Sequence, residues 1–299
     1  MRPDGWYLTE DVDDFLARAG EFLRSRPVPH IMPLTWTERL RTRGAAAYGI
    51  RAQVFGLLER AGEVIATFHR LAPRGLSLTP LTPEQADTLA AHLAALGHPL
   101  PSVSADHATA TAFAEAWQRH TGATPTLSAR LHLYRLGTLT PPDPLPAGRG
   151  RLVGEQDHEQ LMDWCREFAA DVGEVVSMDA GSWARTRFAD KSYTFWETPD
   201  GTPVSMAGVN PMVAGRMVQV DPVYTPAHLR GRGYAGAATV EVSRAALAAG
   251  ATEVVLFTNA ANPTSNALYQ RIGYVPVTDF AGYDFSSAAA ASAVGTSAG

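Results

Sequence analysis

The sequence predicts an α/β protein in which two mixed, mostly antiparallel sheets are each flanked by helices. Three observations carry that expectation. Between residues 151 and 285 the apolar periodicities run strand, two helices, three strands, helix, strand, helix, strand. The strands in the middle of that run are short and separated by turn residues such as Pro199-Asp200-Gly201, which favours antiparallel pairing. Between 48 and 136 a shortened form of the same order recurs, with three strands, two helices and a strand, ahead of a proline-rich divider.

In chain order, Thr9 is positioned to cap a helix whose stripe is Val12, Phe15, Leu16, Ala19, Phe22 and Leu23. Arg26-Pro27-Val28-Pro29 ends it, and a short second helix is expected over 36–41. Strands follow at 48–58 and 63–70, joined by a turn at Ala61-Gly62, with a third at 76–78. Thr82-Pro83-Glu84-Gln85 reads as a capped helix start running to about Leu96. A helix over 106–121 and a strand over 126–136 complete the first half. The stretch from Thr138 to Gly148 carries Pro141, Pro142, Pro144 and Pro146, which suits a linker.

In the second half the expected elements are a short strand at 151–153, helices at 157–170 and 180–188, and strands at 192–197, 204–209 and 216–224. A glycine-bearing turn then opens a helix to about Ala249. A strand at 253–258, a helix at 262–272 closed by Gly273, and strands at 274–277 and 283–285 finish the sheet. From Ser286 the chain is Ala, Ser, Gly, Thr and Val, with too little to bury, and is expected to be disordered. The expected domains are 1–137 and 151–285, with 138–150 as linker and 286–299 as tail.

Composition removes several classes of function. A formal net charge of −5 lacks the basic footprint of a nucleic-acid binder. No apolar run reaches the roughly 18 residues of a membrane span, and the N-terminus turns acidic at Glu10, Asp11, Asp13 and Asp14, unlike a signal peptide. A cytoplasmic location is expected. The one cysteine, Cys165, excludes an intramolecular disulfide, and its helical spacing with Leu161, Trp164 and Phe168 makes it a packed core thiol. The histidines are scattered with no paired-ligand spacing, so no metal is implied. Lys191 is the only lysine, so nearly all positive charge is arginine.

The informative stretch is Val220 to Ala235, the end of a strand, a loop and a glycine turn opening a helix. Free N–H groups and the helix dipole favour an anion there, and Gly231 and Gly233 let it approach the backbone, while Arg230 and Arg232 add charge. A Walker loop is ruled out because Gly233 is followed by Tyr234 and Ala235 rather than Lys and Ser or Thr. Gly231, Gly233 and Gly236 have the bare spacing of a dinucleotide fingerprint. The turn nevertheless lies late in the chain, after hairpin-linked strands, with no acidic residue ending the next strand.

Arg230, Gly233 and Ala235 instead match the Arg/Gln-x-x-Gly-x-Gly/Ala loop of the GNAT (Gcn5-related N-acetyltransferase) superfamily, which the element order of 151–285 also resembles. The resemblance implies tandem GNAT-like domains, the first degenerate because its corresponding junction, Leu78 to Pro83, has neither glycine nor arginine. It implies acetyl-CoA as co-substrate. Val223, Tyr224 and Thr225 would meet its pantetheine amides at a strand bulged by Pro222, and Arg230, Gly231, Arg232, Gly233, Tyr234 and Ala235 would hold its pyrophosphate. In the helix from Asn262 to Ile272, Asn262 and Asn266 share a face with Tyr269, which would return a proton to the departing thiolate.

The implied reaction is direct attack by the neutral primary amine of a small molecule or peptide on the thioester. Asp221, Glu174, Glu197 and His228 are candidate bases, none of them singled out by a motif. Asp171, Glu174 and Asp179 make the segment before the sheet acidic, which would suit a cationic amine. The alternative is a non-catalytic acyl-CoA-binding regulatory or interaction protein, motivated by the degenerate first half. Nothing in the sequence chooses between monomer and homodimer.

Overall fold

The computed structural model describes residues 5–97, 100–174, 176, 179, 181–214 and 216–286. The chain divides into two compact units. The first takes the chain through His132, Asn259–Ala261 and the stretch from Thr278; the second takes Leu133–Thr258 and Asn262–Val277. Of the four boundaries, those at 132/133, 258/259 and 277/278 fall inside strands, β6 (Thr124–Leu136), β11 (Glu253–Asn259) and β12 (Tyr274–Ser286). The proline-rich stretch lies within the second unit.

In the first unit, β1 (Gly5–Thr9), β2 (Ala52–Arg60), β3 (Glu63–Ala72), β4 (Leu76–Leu78), β5 (Ser102–Asp106) and the distal part of β12 lie in that order across the sheet. All neighbours pair antiparallel except β4 and β5, which run parallel. Helix α1 (Val12–Ser25) is capped by Asp11, whose carboxylate accepts from the N–H groups of Asp13 and Asp14. Thr9, the expected cap, instead ends β1 opposite Phe55. Helix α2 (Ile31–Arg43) is longer than expected. Helices α3 (Pro83–Ala95) and α4 (His107–Thr121) pack Leu89, Leu93, Phe113 and Trp117 onto Phe68, Leu76 and Val103.

Strands β1 and β5 were not among the expected elements. Each has five residues, and β5, Ser-Val-Ser-Ala-Asp, alternates between small side chains that carry little apolar signal.

In the second unit the order is β11 (Glu253–Asn259), β10 (Met217–Tyr224), β9 (Pro203–Val209), β8 (Ser192–Glu197) and β7 (Arg149–Leu152). Helices α6 (Tyr234–Ala248) and α7 (Pro263–Arg271) contribute Ala237, Ala238, Val242 and Tyr269 to a core completed by Val218, Val220, Val254, Leu256 and Tyr274. A separate cluster sets Leu161, Trp164 and Cys165 of α5 (His158–Asp171) against Phe188, Phe195, Met206 and Tyr224.

Two expectations for this half are corrected. Over 180–188 the described residues form one short turn of 3₁₀ helix, Trp183–Arg185, because the Asp179 carboxylate accepts from the N–H groups of Gly181 and Ser182 and holds a tight turn there. Ala180 lies outside the described residues. The end of the sheet is one strand: the turn-like Asp279 and Gly282 are extended, with Phe280 to Asp284 paired to β5. Ser286 closes β12, and the rest of the expected tail lies outside the described residues. No helix among the described residues is long and apolar enough to cross a membrane.

Candidate active site

The site begins where a parallel ladder stops. Strands β10 and β11 pair through Met217, Val218 and Gln219 with Glu253, Val254 and Val255. Beyond that point β10 continues to Tyr224 and β11 to Asn259, with no further pair between them among the described residues. On its other edge β10 stays joined to β9, with a register shift between Val220 and Val223. Pro222 lies in that shift, where its missing N–H breaks no ladder bond. Beyond Gln219 the edge of β10 that follows the parallel ladder carries no further ladder pair with β11 among the described residues.

The end of β10 is fixed by side chains. Ser205 Oγ donates to the Tyr224 carbonyl at 2.9 Å and lies 2.8 Å from the Thr225 hydroxyl. The Tyr224 hydroxyl donates to Glu167 Oε2 at 2.6 Å, and burial, followed by that carboxylate, pushes the phenol above its ordinary range. Val223 is half-buried, whereas Tyr224 and Thr225 are buried.

From Thr225 the chain turns through Ala227–Leu229 into Arg230 and the two glycines, with φ of +79° at Gly231 and +81° at Gly233. Those angles belong to the left-handed region, which only glycine enters without strain. Gly233 is the N-cap of α6 and offers no side chain to it. The first intrahelical bond is Ala237 N–H to the Gly233 carbonyl at 3.1 Å, so the N–H groups of Tyr234, Ala235 and Gly236 precede the helical ladder. An anion can be received there.

The first unit closes its equivalent junction. Helix α3 also follows the first strand of a parallel pair, yet Thr82 Oγ1 accepts from Gln85 N–H at 3.3 Å, and Gln85 Oε1 accepts from Thr82 N–H at 2.9 Å. The box satisfies the Gln85 N–H and Pro83 has none to offer, whereas α6 has no side-chain cap.

Arg230 is turned back from the glycine loop. Its Nε donates to the Thr225 carbonyl at 2.9 Å and its Nη2 to Asp171 at 2.5 Å, so it ties the turn to the strand end and to α5. Arg232 is exposed, with its Nη2 3.5 Å from the His228 carbonyl. The acidic segment expected to meet a cationic amine is largely engaged as well: Asp171 pairs with Arg230, Glu174 with Arg187, and Asp179 with backbone N–H groups. Sequence reading counted those acids without their arginines, which come from 13 to 59 residues away.

The candidate bases are similarly occupied. Asp221 is paired with both Arg187 and Lys191, and Glu197, 4% exposed, with Arg151 at 2.5 Å. His228 is exposed. None of the three carboxylates, Asp221, Glu174 and Glu197, is free of a cation.

On α7, Asn262 caps the helix by accepting from Ser265 N–H at 3.0 Å. Asn266 donates from Nδ2 to the Asn262 carbonyl at 2.8 Å and accepts from the Tyr134 hydroxyl at 3.2 Å, which itself receives Gln270 Nε2 at 3.0 Å. The two asparagines thus set the pitch of α7 and its seat on β6. Tyr269 is 8% exposed and meets Tyr274 edge to face at 6.1 Å between centroids. Burial pushes its phenol well above the ordinary range, with Tyr274 and Asp221 adding to the shift, so it stays protonated and able to donate.

Tyr134, Arg187, Glu167, Ser205 and Lys191 take part in this arrangement without having been singled out for it in the sequence. Tyr134 and Glu167 lie in segments read as ordinary strand and helix. Lys191 alone carried a signal, as the single lysine of an arginine-rich chain.

Residues 158–274 match the family model described as "Acetyltransferase (GNAT) family". No curated protein matches the chain. Among solved structures, a GCN5-related N-acetyltransferase from Sphaerobacter thermophilus aligns with a TM-score of 0.59 at 17% identity, covering 95% of this chain and 96% of that one. A GNAT-family acetyltransferase from Colwellia psychrerythraea gives 0.57 at 12% identity, over 94% and 100%. A tandem GNAT protein from the clavulanic acid biosynthesis pathway gives 0.55 at 12% identity, over 93% and 98%. At these identities the likeness is one of fold.

Proposed function

From a chain whose residues 158–274 form a domain of the GNAT acetyltransferase family, we propose an acyl-CoA-dependent N-acyltransferase that moves an acetyl group from acetyl-CoA to a primary amine in a ternary complex. The observation that carries this reading is the coincidence of two features at the end of β10. Its ladder with β11 ends at Gln219 and Val255, and it feeds the uncapped, two-glycine N-terminus of α6. Strand backbone outside the parallel ladder suits the amides of pantetheine, and the N–H groups that precede the helical ladder of α6 suit a pyrophosphate.

In this reading Val223 to Thr225 line the acyl arm, and Gly231, Arg232, Gly233, Tyr234 and Ala235 receive the phosphates. Arg230, Asn262 and Asn266 hold the surrounding elements in place. The acceptor nitrogen attacks the thioester carbonyl, the C–S bond breaks, and Tyr269 returns a proton to the thiolate. Proximity supplies a large share of the acceleration. The amine attacks in its neutral form, the proton that its nitrogen sheds on forming the amide passes to solvent, and solvent reprotonates Tyr269, since the carboxylates of this region are engaged with arginine and lysine.

The test is calorimetric titration with acetyl-CoA. Binding is expected in the unaltered protein, and Gly233→Glu is expected to weaken it on the order of a hundredfold or more by setting a carboxylate among the phosphates. Since the positive φ at Gly233 strains any side chain, Ala235→Glu in the first turn of α6 is the companion variant. An acid at that position favours the helix while repelling the ligand. Undiminished affinity in a folded Ala235→Glu protein overturns the loop assignment. Release of free thiol across a panel of amines then separates a transferase from a pure acyl-CoA binder, which yields none.

A further inference from the structure

The proline-rich stretch from Thr138 to Gly148 is a strap laid across the entrance of α6. It is anchored at the end of α7, where Gly137 N–H donates to the Gly273 carbonyl at 2.9 Å and Thr140 N–H to the Ile272 carbonyl at 3.0 Å. Gly273 has φ +100°, and a Cβ there would lie 1.8 Å from the Thr138 carbonyl oxygen, so backbone presses on backbone at that point. Pro142 then reaches the first turn of α6. Its Cγ is 3.3 Å from the position a Cβ would take on Gly236, a position also 3.0 Å from Leu268.

Pro146 comes within 3.7 Å of the corresponding position on Gly233. The strap leaves at Gly148, whose added Cβ would be 2.1 Å from the Glu197 carbonyl. Between Pro144 and Pro146 stands Leu145, an apolar side chain 52% exposed on a segment fixed at both ends. Prolines restrict the backbone on either side, so Leu145 is held rather than mobile.

Building on the coenzyme site proposed above, we infer that the Leu145-Pro146 edge of this strap is the receptor for the adenosine end of the coenzyme and makes the protein selective for full coenzyme A thioesters over bare phosphopantetheine thioesters. A pyrophosphate seated on the N–H groups of Tyr234 to Gly236 leaves the nucleotide to extend outward from that turn, where Pro146 forms the adjoining wall. An adenine ring gains from an apolar face whose position is already fixed, because little ordering is needed on binding. Arg232, exposed on the same turn, supplies charge for the phosphates. In the first unit no such device is needed, because the capping box of α3 already closes the junction.

The experiment measures the affinities of the unaltered protein, Leu145→Ser and Leu145→Ala for coenzyme A, 3′-dephospho-coenzyme A and 4′-phosphopantetheine. Removing the leucine is expected to weaken both nucleotide-bearing ligands about tenfold, in line with losing one buried aliphatic side chain, and to leave phosphopantetheine unchanged. The intact protein is expected to prefer coenzyme A over phosphopantetheine by a wider margin than either variant. Equal affinities before and after substitution, or equal losses for all three ligands, overturn the strap inference while the glycine turn keeps its role. If the intact protein binds none of the three, the coenzyme reading itself falls. Because Leu145 is exposed, the variants are expected to fold, and an unchanged urea midpoint verifies it.

Discussion

The only lysine of the chain, Lys191, is withdrawn from solvent and set against the carboxylate of Asp221 at the bulge of β10. Its Nζ also donates to the Asp221 carbonyl at 3.0 Å, and Arg187 reaches the same carboxylate oxygen at 2.5 Å. Two cations therefore hold the residue that precedes Pro222, where the strand leaves its regular register. A compact ammonium fits this enclosed position, in which a planar guanidinium would need more room and more acceptors.

Removing Lys191 leaves the Asp221 carboxylate with one cation, Arg187, in place of two. Lys191→Met is expected to lower unfolding free energy by about 3 kcal/mol, the low end for breaking buried ion pairs, given that Asp221 retains Arg187 and some solvent. The double variant Lys191→Met with Asp221→Asn is expected to recover more than half of the loss. Urea denaturation of the single and double variants measures the coupling, and strict additivity of the two losses would count against the pair.

Tyr269 lies among apolar neighbours of the second unit with its phenol held protonated by burial. Replacing it with phenylalanine keeps the packing and removes the proton. For an acceptor amine identified by thiol release, Tyr269→Phe is expected to lower kcat about a hundredfold and leave the affinity for acetyl-CoA within about twofold. An unchanged kcat assigns the tyrosine to packing alone.

How much of this was legible in the sequence follows from the range of the forces involved. The turn from Arg230 to Ala235 and the capped start at Thr82 were readable because local backbone demands select glycine, proline and small polar residues directly. The pairing of Asp171 with Arg230, of Glu174 with Arg187 and of Asp221 with Lys191 was not, because a charge pattern says nothing of which distant side chain folds against it. The same limit hid β5, whose strand character comes from pairing with β4 and β12 on either side. Residues 138–148 read as a linker from their prolines, and their contacts with Gly233, Gly236 and Gly273 emerge only in three dimensions.

Cys165 is fully buried, its Sγ 3.7 Å from the Tyr193 hydroxyl, and burial pushes the thiol up to about 12 from 9.0. At neutral pH this leaves about a thousandfold less thiolate than in an ordinary thiol. Iodoacetamide is expected to leave the folded protein unmodified over hours and to label it stoichiometrically in urea, as read by intact mass. Rapid labelling without denaturant would place the thiol in a more open setting than α5 provides.

His69 carries the clearest pH signature. It is 3% exposed in β3, and burial holds its imidazole at about 4, against 6.5 for an unperturbed group. Above pH 6.5 neither folded nor unfolded chain is protonated there, and the residue contributes no pH dependence. As pH falls through 6.5 the unfolded chain takes up a proton that the folded chain refuses until about pH 4, so stability declines across that window. The full loss is on the order of 3 kcal/mol, from the width of the window at 1.36 kcal/mol per unit. His30 is also held down, chiefly by burial, and acts in the same direction. His69→Gln is therefore expected to flatten the decline in the urea midpoint between pH 6.5 and 4 without abolishing it. A slope identical to that of the unaltered protein would mean that the buried imidazole accepts its proton in the folded state, contrary to its surroundings in the sheet.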